Sequence, residues 1–276
     1  MPPFHRPSWP RSLPVLAVLA AISSSCRPLP QAPTELSELS SWLFFSFESE
    51  DPDLLTAGLG NLRDVFLAAG VDSDFEDQAW ALTSLTAADV ADVEHPDRDV
   101  GAALPVGLVF ASAFAAADQA RVVVLPDQTP VEPSSPGLYD RTFLEPEQPA
   151  CFPPARCDLL RTDNLVRKEN AFMSITYTKR KDFRWCEVRT EDGVESGILA
   201  RSWMPAEALG EAEATAIYQS YSLDVFLPGD DGGSLRYIAM WTEAEMYGLG
   251  GDVVVNIMRD GIEEVMLATE AWLEVN

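Results

Sequence analysis

From Tyr139 onward the apolar positions of this chain recur every second residue, the period of a strand with one buried face. Strands are expected at Tyr139–Leu144, Leu159–Arg167, Phe172–Thr178, Phe183–Arg189, Gly197–Met204, Ile217–Leu227 and Leu235–Glu243. The clearest puts Ile217, Gln219, Tyr221, Leu223, Val225 and Leu227 on one face, opposite Tyr218, Ser220, Ser222, Asp224 and Phe226. Connections such as Thr178–Asp182 (TKRKD) and Pro228–Gly233 (PGDDGG) are too short for helical crossovers, so neighbouring strands must be antiparallel. The basic run Lys179-Arg180-Lys181 then falls at a solvated hairpin tip, with contact to an anion or headgroup as the alternative.

The period lengthens at both ends of the chain. Trp42–Phe47 (WLFFSF) is a short aromatic run suited to a buried strand. Asp51-Pro52 then opens a helix as N-cap and first helical residue, Leu55, Leu59, Leu62 and Phe66 form its apolar stripe, and Gly70 closes it. Thr86 and Asp89 have the spacing of a capping box, predicting a second, short helix to Glu94 before Pro96. Val106–Ala115 and Arg121–Leu125 suit strands, while Ala111–Ala120 suits a short helix equally well. Asp127–Leu138 is a proline-rich connection. The longest helical pattern is the last, Asp252–Glu274, with a stripe of Val254, Ile257, Met258, Ile262, Val265, Thr269 and Trp272. Gly261 interrupts it at a cost of ~1 kcal/mol relative to alanine, which either close approach to a sheet offsets or the helix simply tolerates.

These elements predict an α+β domain over residues 42–276: a curved antiparallel sheet packed on a long C-terminal helix, with two helices near the N-terminus. Their order resembles the helix-grip fold of the START and polyketide-cyclase-like superfamily over about 230 residues, from Trp42 to the end. The resemblance implies a bent sheet that grips the last helix, with a lipid or other hydrophobic ligand between them. It carries over no ligand residue, and the stretch from Asp127 to Cys157 departs from a compact family member, leaving the strand count there open.

The first residues change the picture of where such a domain works. Arg6 and Arg11 precede an apolar run, Leu13–Ile22, which is shorter than the roughly 20 residues needed to span a bilayer and which ends in Ser23-Ser24-Ser25-Cys26. Residues 1–25 read as a signal peptide. Small residues before a cysteine resemble the bacterial lipobox, although Ser23 stands where that motif prefers leucine. The expectation is a lipidated Cys26, a flexible tether over residues 26–41 and a place in the bacterial cell envelope, on the periplasmic or outer-membrane side. Without lipidation the protein would be secreted.

Charge and cysteine usage narrow the partners. With 19 Lys and Arg against 44 Asp and Glu, a net charge of −25, nucleic acid is not an expected partner, because its binding depends on neutralising phosphates. Cys151 and Cys157 flank a proline-rich loop and are expected to pair, leaving Cys186 as a buried free thiol. The acidic segment Val71–Gln78 lacks the glycine and glutamate of a calcium-binding hand, and His95 is the sole imidazole after the leader, so neither metal nor cofactor is expected.

Standard catalytic signatures are absent: no GxSxG elbow, no HExxH, no Walker A loop, and no histidine pair to activate a nucleophile. What the strands carry instead is a set of rings, including Phe172, Tyr177, Phe183, Trp185, Trp203, Tyr218, Tyr221, Tyr237 and Trp241. Such a ring-rich face is ordinarily core; the alternative is a cavity for an apolar ligand, its candidate wall being Trp185, Trp203, Tyr221 and Trp241, with Arg201, Gln219 and Arg236 to fix orientation. The leading expectation is a non-catalytic, lipid-anchored binder or carrier of a hydrophobic ligand. Two others stand beside it: a solidly packed interaction or structural lipoprotein, and a hydrolase using paired carboxylates.

Overall fold

The computed structural model describes residues 31–71, 79–169, 174–212 and 215–276. Cys26, Phe172 and the acidic segment after Val71 lie outside them.

Nine antiparallel strands form the body of the protein: β1 Ala79–Trp80, β2 Leu104–Ser112, β3 Tyr139–Phe143, β4 Leu159–Glu169, β5 Ser174–Thr190, β6 Gly193–Trp203, β7 Ala208–Leu209, β8 Thr215–Pro228 and β9 Ser234–Met246. They make one sheet in the order β1-β2-β9-β8-β6-β5-β4-β3, with the short β7 paired to β8. Helices α1 (Leu36–Phe45) and α2 (Pro52–Ala69) cover one face. On the other lie α3 (Ala116–Val123), the single-turn α4 (Gln148–Cys151) and the C-terminal α5 (Gly251–Val275). This is the expected α+β architecture, with the first long strand, β2, paired along its whole length to the last, β9.

Several elements differ from the sequence expectation, each for a local reason. The WLFF run is helical. Leu36, Leu39, Leu43 and Phe44 repeat at helical spacing and are all buried, so a stripe that begins six residues before the aromatic run overrides its strand propensity. The helix therefore starts inside the stretch expected to be a flexible tether. Thr86 does reach Asp89, whose Oδ2 accepts from both its backbone N–H and its hydroxyl at 2.7 Å, but only turns follow. Capping alone does not sustain a helix with so short an apolar stripe. The strand expected from Val106 ends at Ser112, and α3 takes Ala116 to Val123, so Arg121 to Val123 are helical rather than a strand.

The largest difference is in β5. Thr178–Asp182 is not a turn: it runs through the middle of one 17-residue strand, paired to β4 from Ser174 to Arg184 and to β6 from Arg180 to Thr190. The three basic residues therefore alternate across the sheet. Arg180 faces outward to Glu94 at 3.0 Å and Asp163 at 3.4 Å, while Lys179 and Lys181 point to the α5 side.

Helix α2 follows expectation. Asp51 caps it by accepting from the Asp53 N–H at 3.1 Å, Pro52 occupies its first turn, and Gly70 ends it in the left-handed region at φ 67°. Gly58 in this helix lies against the Trp42 ring, where a Cβ would come within 2.3 Å, so α1 and α2 pack through it. Cys151 and Cys157 form a disulfide with Cα atoms 5.4 Å apart, and Cys186 is a free, half-buried thiol raised to about 12 by burial.

Candidate functional site

The two faces of the sheet are filled differently. Against α1 and α2 the inward side chains are large and close-packed: Leu199, Trp203, Tyr221, Leu223, Val225, Tyr237 and Trp241 share one core with Leu39, Leu43, Phe44, Leu59 and Phe66. On the α5 side the same strands present Ser202, Ser220, Ser222, Asp224, Thr242 and Ala244, which are smaller or polar. Small side chains under a long helix leave space. A cavity of about 390 Å³ lies there, near the lower end of the ~300–1,000 Å³ of small-molecule pockets.

Its walls differ in character. One side is apolar: Ile238, Met240 and Met246 of β9, Ile217 of β8, and Ile257, Met258, Ile262 and Val265 of α5. Ile257 and Val265 are the half-buried members of the α5 stripe that border the void, whereas Val254, Met258 and Ile262 are buried. Gly261 also lines the cavity, and a Cβ built on it would meet nothing within 4 Å. The interior glycine is thus explained by space, not by the close helix-on-sheet approach expected from sequence.

The other side is charged. Lys168 of β4 donates to Glu132 Oε2 and Ser134 Oγ, each at 2.7 Å. Asp224 of β8 accepts from Lys181 at 2.9 Å and from Arg236 at 3.2 and 3.1 Å, and Arg236 also donates to Thr269 of α5 at 3.1 Å. Burial pushes the Asp224 carboxyl up, but Arg236 and Lys181 outweigh it and hold the group well below the usual carboxylate range. Burial likewise raises Glu132, and Lys168 and Lys179 more than reverse the effect. Lys179 and Lys181 are both lowered, first by burial, with Glu132 and Asp224 respectively the main opposing charges.

Of the ligand wall expected from sequence, Arg236 lines this cavity and the other residues do not. Arg201, only 2 % exposed, lies on the α1/α2 face, donating to Asp92 at 2.7 Å and Glu48 at 3.1 Å with its guanidinium 4.8 Å from the Phe47 ring centre. Gln219 donates to the Asp99 carbonyl at 2.8 Å and to Glu243 at 2.7 Å on that same face. Tyr221 meets Phe44 edge-on at 6.2 Å, Trp203 lies against Arg201, and the Trp241 indole donates to the Thr83 carbonyl at 2.8 Å. Trp185 is on the α5 side but outside the cavity, packed 5.5 Å from Phe152 and donating to its carbonyl at 2.7 Å.

The ring-rich face is therefore solid core, and the ligand-sized space lies behind the polar face of the same strands. Sequence reasoning misses Lys168, Lys179, Lys181, Glu132 and Asp224. The period-two pattern does carry the signal, because Tyr177, Lys179, Lys181 and Phe183 share one face only if the strand continues through TKRKD.

No family model matches the chain, and no curated protein matches it. Solved structures are similar in chain path over 62% of this chain. A protein of Thermus thermophilus aligns with TM-score 0.41 at 13% identity over 97% of its own length. A STAR-related lipid transfer protein from Xanthomonas axonopodis aligns with TM-score 0.40 at 12% identity over 85%. A START superfamily protein from Mycobacterium smegmatis aligns with TM-score 0.37 at 13% identity over 97%. Among the described residues no helix is long and apolar enough to cross a membrane, and no group of His, Cys, Asp or Glu is arranged to hold a metal ion.

Proposed function

We propose that this protein is a lipid-anchored envelope protein that binds or carries a hydrophobic small molecule, such as a lipid, between its sheet and α5. The observation that carries the reading is the cavity of about 390 Å³, with Ile238, Met240, Met246, Met258 and Ile262 in its wall. Apolar surface left around a void forgoes both dispersion contacts and the roughly 25 cal/mol per Å² of burial from water, and an apolar ligand restores both. A chain under selection for stability alone would fill the space, and Gly261 is where filling would be simplest.

The competing readings fit less well. A purely structural or protein-interaction lipoprotein has no use for such a void. A carboxylate hydrolase needs one acid protonated near neutral pH. Glu132 and Asp224, the carboxyls on the charged side of the cavity, are instead held ionised by lysine and arginine, and Asp182, whose carboxyl burial raises to about 6, lies on the opposite face outside the cavity. The address rests on the leader and Cys26, and the chemistry of the cavity does not depend on it.

Native mass spectrometry of the protein extracted gently from membranes tests the binding reading. The expected spectrum contains a population heavier than the bare polypeptide that releases an apolar small molecule on activation. Bare protein alone, with no uptake of added lipid or fatty alcohol, would overturn it.

A further inference from the structure

Resting on the reading of this cavity as a binding site, its charged side points to the class of ligand. A buried ammonium is costly unless a counter-charge accompanies it. Around the cavity that requirement is met for three cations: Lys168 has Glu132, while Lys181 and Arg236 share Asp224. Half-buried Lys179 has no partner of its own: Glu132, the main charge opposing its burial, is hydrogen-bonded to Lys168. Its ammonium has no ion pair or hydrogen bond among the described residues, and what it meets is the Tyr139 ring, whose centre is 5.7 Å away.

The position of Lys179 is not an accident of a loose surface side chain. It sits mid-strand in β5, in register with Asn164 of β4, and the same pleat brings Tyr177 and Lys181 to the cavity on either side of it. The two further carboxylates at the cavity, Asp260 and Glu264 of α5, are exposed and solvated at its edge, and neither is ion-paired to Lys179. The lining sets Lys168, Lys179, Lys181 and Arg236 against Glu132, Asp224, Asp260 and Glu264, and with the last two exposed on α5 the positive charge gathers on the sheet side.

We propose that the cavity takes an anionic amphiphile, with its apolar chain against the methionine and isoleucine wall and its carboxylate or phosphate head on the Lys179 ammonium. The head supplies the direct partner that Lys179 lacks, and its charge-assisted hydrogen bonds are roughly twice as strong as neutral ones. The void holds one compact, single-chain molecule. Arg201 on the α1/α2 face is, by contrast, already bound to Glu48 and Asp92.

Competition binding on the purified full chain, with decanoate, decyl phosphate, decanol and inorganic phosphate displacing a neutral apolar dye, tests this directly. One or both anionic amphiphiles should bind at least tenfold tighter than decanol, the better of the two identifying a carboxylate or a phosphate head. In Lys179→Met the ratio of anionic-amphiphile to decanol affinity should fall to about one, and a melting temperature and far-UV circular dichroism spectrum like those of the wild type show that the variant is folded. Equal binding of acid and alcohol by the wild type would overturn the anionic head and leave the hydrophobic reading standing. Preference retained in Lys179→Met would overturn the role of Lys179, and inorganic phosphate competing as well as decyl phosphate would reduce the site to a simple anion site. No binding of any chain would remove both this proposal and the reading beneath it.

Discussion

Single residues in this protein are set by which side of the sheet they face, and Asp182 shows how far that reaches. It follows Lys181 in β5 but points the opposite way, where burial raises its carboxyl to about 6, with Arg161 at 3.8 Å the main opposing charge. A carboxyl whose folded pKa lies above its unfolded value of ~3.9 binds its proton more tightly in the folded state. Its favourable contribution is therefore complete below about pH 4 and is lost as pH rises through 6. Asp182→Asn keeps the shape and removes the titration. The variant should be more stable than wild type by up to about 2–3 kcal/mol at pH 7.5, at ~1.4 kcal/mol for each tenfold difference in proton affinity between the folded and unfolded chain. The gain should shrink steadily between pH 6 and pH 4, as read by urea denaturation across that range. A pH-independent difference, or a loss at pH 7.5, would show that the Asp182–Arg161 pair outweighs the burial cost.

At the level of elements, period and capping make α2, β8, β9 and α5 legible in the sequence, because each keeps one strong pattern for most of its length. Three failures have physical causes. The Trp42–Phe47 run has strand propensity of its own, while the stripe that makes it helical starts at Leu36. TKRKD looks like a turn when charge is equated with solvent, yet Lys179 and Lys181 face an internal cavity and only Arg180 faces out. Ring content points to the face that packs on α1 and α2, where the rings are core, and not to the face that holds the cavity. A binding cavity needs positions where side chains fall short of filling space, and shortness is a weaker sequence signal than bulk. Gly261 is the exception, a small residue conspicuous inside a helix. Gly261→Leu should gain several tenths of a kcal/mol in helix propensity, since its side chain enters open space, and so leave the melting temperature unchanged or raised. The same side chain should occupy part of the cavity and weaken decanol and decanoate binding at least tenfold. Full binding in a stably folded Gly261→Leu protein would place the ligand elsewhere.

For the whole molecule, the contrast is between an acidic chain and the cluster of Lys168, Lys179, Lys181 and Arg236 at its cavity. An outer surface of net negative charge disfavours docking through bulk electrostatics to anionic headgroups, so charge alone would hold the domain away from a membrane surface. Covalent attachment through Cys26 would supply the proximity that charge opposes, and the interior lysines would be reached only by a molecule that leaves the bilayer and enters the cavity. This division makes a specific demand on the N-terminus. A single acyl chain gives marginal, reversible binding, so stable anchoring takes more than one, and the expected modification of Cys26 is a multi-acyl lipid. Cys26→Ala should then abolish incorporation of labelled fatty acid and move the protein from the membrane fraction to a soluble or unprocessed form. The purified variant should still bind an apolar ligand as wild type does, because the cavity lies entirely within residues 132–265. Unchanged labelling in Cys26→Ala would refute lipidation at that residue and leave the cavity chemistry intact, whereas lost labelling together with lost ligand binding would mean that the signal read in the cavity was the anchor's own lipid.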